Sequence, residues 1–442
     1  MKNKKIFIIL FFFLLACSQK NEISQQIDNL KKQGNEFYIE KKPVKIPNDI
    51  KIISKFSNYA SFSLKEWKHT NFQASNFLPH TKFNGDLKLE NKKKYFLKNK
   101  YNFFDKELIV FKDKIFYIDD YSYIYSLDLN LNLLNKFPLY KKKKFNDYSL
   151  KFSLASDGNY LFIADNLGNV SSYDPALNKL IWSSYLGVPF LSNLIFVDSN
   201  LYVINDNGKI FSINSSTGYH NWSFETSSSK IKKINTFHVS AENNKLLFSN
   251  NIGDLYCIDL KEKKLLWNIN LEMVGNFNSN NSNFELSNIV LKDEDIYLST
   301  SNDVLLNLNI KDGSTKWLAY LPVNSMLTPL VTPENIINVT KNGNLLVINK
   351  KNGSFLYKSN IELQLNNLIK NKKKSIFKTI FISSNYLYAV TKNGFFFKID
   401  TNNLSDTSVK QITKKKNIAS NILIILNSIY FFDDTGSIYK IS

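Results

Sequence analysis

Short apolar runs, rich in Ile, Leu, Tyr and Phe, recur along most of the chain, each bounded by Asn, Asp, Ser or Gly. The unit is clearest in Gly343–Tyr357, GNLLVINKKNGSFLY. Copies begin at Gly168, Gly208, Gly253 and Asp303, degenerate copies at Ser122 and Gly394, and a last one, Gly436–Ser442, lacks its second half. In all eight copies the residue two after the anchor is apolar (Ile124, Val170, Ile210, Leu255, Leu305, Leu345, Phe396, Ile438), and the residue seven before it is Ile or Leu. Asp or Asn follows six after the anchor in seven copies. Eight beyond that stand Trp182, Trp222, Trp267 and Trp317, with Tyr357 in a fifth copy. Each apolar run of five or six residues predicts a strand. The Asn, Asp and Gly between runs predict tight turns with positive φ.

Each copy therefore reads as a four-stranded antiparallel meander, with a further strand such as Ser192–Val197 preceding the set. The anchors run from position 122 to position 436 in seven steps of about 45 residues, the period of a propeller blade. The expected fold is all-β, an eight-bladed β-propeller of four-stranded antiparallel blades. Because the eighth copy stops at Ser442, an N-terminal strand is expected to complete the last blade and close the ring. Ser63–Trp67, SLKEW, resembles the Trp-bearing strand of the other blades and is the expected closing strand, with His69–Lys100 a polar crossing to the first complete blade. The recurring Gly168, Gly208, Gly253, Gly343, Gly394 and Gly436 are read as turn formers. Trp182, Trp222, Trp267 and Trp317 repeat with the blade and are read as wedges between blades.

The first residues follow a different rule. Lys2, Lys4 and Lys5 precede eleven apolar residues, Ile6–Ala16, too few to span a bilayer as a helix, and Leu14-Leu15-Ala16-Cys17 follows the pattern of a bacterial lipobox. The expectation is a signal peptide over 1–16, lipidation of Cys17, a flexible tether over 17–60 with a reach of about 35 Å, and the propeller over 61–442. Ser18 after the Cys favours an outer-membrane address, on the periplasmic face of a Gram-negative envelope. The other cysteine, Cys257, lies mid-strand and reads as a small buried hydrophobe.

Charge changes this picture little. The formal net charge is +19, but every one of the 57 basic residues is Lys, and they are scattered over loops. Without Arg forks the usual phosphate and base readers are missing, so no nucleic-acid partner is expected. His69, His80, His220 and His238 lack metal-ligand spacing, and no nucleophile or phosphate-loop motif occurs. Asp119-Asp120 and Asp433-Asp434 stand at corresponding blade positions and read as turn residues. No catalytic residue, metal or cofactor is predicted.

The Gly…Asp/Asn…Gly…Trp spacing resembles the PQQ-like propeller repeat. Enzymes of that superfamily bind pyrroloquinoline quinone, typically with an adjacent cysteine pair and a calcium ion, and neither that pair nor an evident ligand set is present in this sequence. The repeat, the lipobox, the tether and the ending Thr435–Ser442 (TGSIYKIS) together resemble the BamB family of outer-membrane assembly lipoproteins. The resemblance implies a non-catalytic scaffold of the Bam complex. It would bind the POTRA region of the barrel subunit BamA, sit beside other Bam lipoproteins, and help deliver or align nascent outer-membrane strands. It further implies contacts on the connections after the third and fourth repeats, here the longer insertions 225–237 and 270–286. There Lys230, Lys232 or Lys233 would supply the basic contact and Glu285 the acidic one. Two other readings stand: a periplasmic PQQ-type propeller enzyme, and a ligand-binding envelope lipoprotein with an unrelated partner.

Overall fold

The computed structural model describes residues 44–46, 60–96, 104–140, 149–227, 237–272, 274, 284–363 and 375–442. Eight four-stranded antiparallel sheets follow one another around a ring. Blades 1 to 7 occupy 109–138, 152–185, 195–224, 239–270, 290–320, 330–360 and 377–411, and blade 8 takes 423–441 plus one strand from the N-terminal side. The first strand of each blade lines the central channel and the fourth lies on the circumference. Burial follows that order. In blade 2 the second strand, Leu161–Asp165, is buried at every position, whereas the fourth, Lys179–Tyr185, alternates between exposed and half-buried. Inner strands must therefore be apolar on both faces, and outer strands only on one.

All eight anchor positions adopt positive φ at the turn between second and third strands. Six are glycine, and Ser122 (φ 64°) and Asp303 (φ 62°) adopt the same conformation. In every blade but that of Asp303, where Thr300 Oγ1 makes no such bond, the residue three before the anchor fixes the turn with its side-chain oxygen. Asp119 accepts the backbone N–H groups of Tyr121 and Tyr123 and the Tyr125 hydroxyl, and Asp433 does the same for Thr435, Ser437 and the Tyr439 hydroxyl. The tryptophans join neighbouring blades. Trp182, Trp267 and Trp317 donate Nε1–H to the carbonyls of Ser215, Ile310 and Lys350 in the next blade, at 2.8–2.9 Å. Each ring lies flat over the turn glycine of that blade, where a Cβ on Gly218, Gly313 or Gly353 would come within 2.4–2.8 Å of it.

The ring is closed by an N-terminal strand in blade 8, but the strand is Leu89–Lys93 and not the one around Trp67. Leu89 pairs with Ile441 and Lys93 with Ile438, antiparallel. Leu89–Lys93 reads LENKK and is almost wholly exposed, as an outer edge strand can be, so it carries none of the apolar alternation that marks the others. Trp67 instead exchanges backbone hydrogen bonds with Val110 on the innermost strand of blade 1 (2.7 and 2.8 Å) and is buried.

Trp67 belongs to a strap, residues 61–88, that tours one end of the channel in blade order. Leu64 accepts from Leu426 of blade 8, Trp67 pairs with blade 1, and Lys68 accepts from Ser156 of blade 2. The His69 ring meets the backbone of Phe196 in blade 3. Ala74 accepts from Ala241 of blade 4 and Ser75 from Leu291 of blade 5. Phe77 packs on a cluster shared by blades 5 and 6. Thr81 pairs with Ile382 and Ser384 of blade 7, and Lys88 returns to Ser442 of blade 8. The stretch expected as a polar crossing thus carries a set of buried residues, His69, Ser75, Asn76, His80, Thr81, Phe83 and Leu87, whose backbone and side chains meet the blades. A second difference falls within 17–60. Val44 is held against blade 5, its N–H donating to Leu318 (2.9 Å) and its carbonyl accepting from Tyr320 (3.1 Å). The signal peptide, Cys17 and the rest of the expected tether lie outside the described residues.

Candidate functional site

With the strap across one end, the channel opens at the other, where the connections between blades and the anchor turns gather. A cavity of about 380 Å³ lies there, lined by residues of blades 1, 2, 3 and 5 to 8 and floored by Trp67, Thr70, Asn71, Asn76 and Leu78 of the strap. One wall is mostly apolar, formed by Met326, Leu327, Pro329, Leu330, Ile380, Phe381, Ile422 and Ile424. The other carries Glu107, Lys151, Asn193, Asn288 and Asn421.

Most of the polar wall is occupied internally. Asn421 donates to the carbonyls of Thr70 and Leu108 and accepts from Leu108 N–H. Asn288 donates to Thr328, and Asn76 to Ile289. Glu107 accepts from Thr70 Oγ1 (2.6 Å), Leu154 N–H (2.7 Å) and Ser153 Oγ (3.1 Å). Burial raises the Glu107 pKa and lowers that of Lys151, and the charge of Glu107 partly restores the lysine. Asp105 is paired with Lys378, and Asp120 with Lys106. Among the described residues no three His, Cys, Asp or Glu side chains gather in a way that could hold a metal ion.

A repeated dipeptide builds this wall, and sequence reasoning passed over it. Ser192-Asn193, Ser287-Asn288 and Ser420-Asn421 each precede an innermost strand. Each serine donates to the carbonyl of its own Asn and accepts an N–H from the second strand, at 2.8 Å in all three blades. The serine fixes the strand entrance and the Asn is left facing the channel. The recurrence at three equivalent offsets was the available signal.

The two longer connections at the open end are rooted firmly. For the one after blade 3, Glu225 pairs with Lys209 (2.7 Å), Thr226 Oγ1 donates to Gly208, Ser227 accepts from Asn250, and Phe237 is buried at the far side. For the one after blade 4, Leu271, Val274, Phe284 and Leu286 join the cluster around Trp267, and Asn302 caps the carbonyls of Glu272 and Val274. Glu285 sits on this second root, half-buried, its backbone exchanging 2.9 Å hydrogen bonds with Ser301. Lys230, Lys232 and Lys233 lie outside the described residues, so no geometry joins them to Glu285. Cys257 is buried mid-strand in blade 4, where burial pushes its thiol up to about 12.

The profile of a family described as outer membrane protein assembly factor BamB matches residues 143–288 and 236–442, well over half of the chain. The chain belongs to the BamB family. The solved BamB of Moraxella catarrhalis superposes with a TM-score of 0.62 at 12% identity, covering 80% of this chain and 99% of that one. BamB-like propellers share their fold widely. Quinohemoprotein alcohol dehydrogenase from Comamonas testosteroni superposes with a TM-score of 0.62 at 8% identity, covering 85% and 80%, and the computationally designed Ika8 protein with 0.59 at 10%, covering 79% and 99%. At these identities the likeness is one of fold. No curated protein sequence matches the chain.

Proposed function

We propose that this BamB-family chain is a lipid-anchored, non-catalytic scaffold of the outer-membrane β-barrel assembly machinery. It binds the periplasmic POTRA region of the barrel subunit through the connections 225–237 and 270–286 and aids insertion of outer-membrane proteins. The observation that carries the reading is the family match across 143–442. Two features of the ring support it. The strap occupies one channel end, so a partner meets the blade connections at the other. The two longer connections there rise from roots tied to buried core residues, as a binding surface on a rigid scaffold requires. The cavity carboxylates Asp105 and Glu107 are already engaged by Lys378 and by Thr70, Ser153 and Leu154, which favours a structural over a reactive role.

The test is affinity capture of the tagged, acylated protein from gently solubilised envelopes. Near-stoichiometric recovery of a POTRA-bearing barrel protein is expected. Replacing 228–236 or 275–283 by Gly/Ser, or combining Lys230→Glu, Lys232→Glu and Lys233→Glu with Glu285→Lys, should abolish it while the roots and the fold persist. Cys17→Ser should move the protein to the soluble periplasmic fraction. Recovery of the protein alone, or with an unrelated complex, overturns the reading.

A further inference from the structure

The outer strand of blade 5, Thr315–Tyr320, differs from its counterparts. Its Trp317, Leu318 and Ala319 are buried in succession, although a strand on the circumference normally buries one face only. The sequence TKWLAYL is apolar on both faces there, so this edge needs a cover. Val44 supplies it through a single parallel bridge to Ala319, bonded to Leu318 and Tyr320, while Val44 and Ile46 pack on the cluster that contains Trp317, Ala319 and Leu321. Among the described residues no other blade gains a bridge on its outer strand.

We propose that this contact fixes where the lipid tether leaves the ring, and so turns blade 5 toward the membrane. The proposal rests on lipidation of Cys17 as stated above. Cys17 and Val44 are separated by 26 residues in the sequence, against 42 between Cys17 and residue 60, so the docked contact brings the lipid-bearing end closer to the ring along the chain. It is attached to the circumference of the ring and not to the channel. The connection between blades 4 and 5, with Glu285 at its root, adjoins the anchored blade. Blade 1, four places away in a ring of eight, is held on the far side. The partner surface is a lipid leaflet, and the orientation brings the second of the two binding connections to the side where a membrane-embedded barrel would stand.

The experiment uses the full acylated chain with Cys257→Ser, in phosphatidylethanolamine–phosphatidylglycerol vesicles carrying a nitroxide-labelled lipid. A fluorophore is placed on Ser314→Cys in blade 5 or on Leu134→Cys in blade 1, both exposed positions. Separately, Val44→Cys with Ala319→Cys is oxidised gently, since bridged neighbours suit disulfide geometry. The expected result is a cross-link in most molecules and nitroxide quenching about threefold stronger at 314 than at 134. Val44→Pro, which removes the N–H bonded to Leu318, should equalise the two labels without unfolding the ring. Absence of the cross-link overturns the docking. A cross-link with equal quenching at both labels overturns the orientation. Failure of the protein to float with the vesicles overturns the lipid-anchor reading and the orientation with it, an outcome separable from the first two because the cross-link needs no membrane.

Discussion

Trp267 gives the sharpest test of how the blades are joined. It is 4% exposed, donates Nε1–H to Ile310 at 2.9 Å, and lies over Gly313 of blade 5, whose φ of +73° leaves no room for a side chain. Trp267→Ala removes the bond and opens a void between blades 4 and 5, a loss of about 3–5 kcal/mol for a buried Trp. Trp267→Phe keeps most of the volume but loses the hydrogen bond, which costs about 1–2 kcal/mol including the Ile310 carbonyl left unpaired. Leu266→Ala, on the exposed face next door, should change stability by less than about 0.5 kcal/mol. An eight-bladed ring need not unfold in one step, so the assay is native-state hydrogen exchange resolved by blade, with a denaturant midpoint beside it. Protection should fall in blades 4 and 5, and at the root residues Leu271 and Leu286, which share the Trp267 cluster. A loss below about 1 kcal/mol for Trp267→Ala, or one spread evenly around the ring, would refute the wedge argument. So would an unchanged partner affinity once those roots have loosened.

Three further outcomes are expected. Burial holds His69 at about 4, below its ordinary 6.5, so between these values the unfolded chain binds a proton that the fold excludes. Stability from this group is complete above pH 6.5 and falls by about 3 kcal/mol as pH drops through 4, a dependence that His69→Gln should remove when denaturant midpoints at pH 7 and 4.5 are compared. Gly394→Ala places a Cβ 1.8 Å from Thr413 Oγ1 at φ +79°, and should lower the melting midpoint clearly more than Gly187→Ala, whose φ is +84° with nothing within 4 Å and which costs about 1 kcal/mol of backbone strain. A chain starting at residue 88 should remain a closed monomeric ring with an open channel. One starting at residue 97 exposes the edge of Ile438–Ile441 and should associate or precipitate, as light scattering would show.

The regular part of this molecule could be read before any coordinates, because blade packing imposes the same demands eight times. The apolar positions two after and seven before each anchor fall on the third and second strands, whose burial is nearly complete. Even Ser122 and Asp303, where the glycine is missing, adopt the expected backbone conformation. The reading went astray where the repeat stops. Trp67 follows the same Lys-and-apolar pattern as Trp182, but its burial comes from the channel and not from a blade, and one strand's composition does not distinguish the two. The true closing strand, LENKK, lies on an exposed edge, held by backbone pairing and by polar side-chain contacts such as Glu90 with Lys440 and Asn91 with Asn130, so no apolar pattern announces it. The strap was equally invisible. Ser75, Asn76 and Thr81 are polar, and they are buried because blades 4, 5 and 7 supply partners for their backbone and side chains. At the open end the Ser-Asn steps were legible and unread, whereas the tie between Glu107 and Thr70 depends on the strap and could not have been found from spacing.

The pairing of Leu89–Lys93 with Ile438–Ile441 also sets the order of events when the molecule is made. The closing strand and the strap leave the ribosome, and on the present reading cross the inner membrane, before any blade exists. Their final partners at Leu426 and Ser442 arrive last. Until then both segments are committed to contacts hundreds of residues away, and the eighth sheet lacks its edge. Such long-range closure makes folding slow and leaves unpaired strands exposed in the meantime. Once formed, the same topology works in reverse. No blade can peel away from either end of the chain without first breaking the seam that holds both ends together, so the ring should come apart far more slowly than an open array of the same repeats.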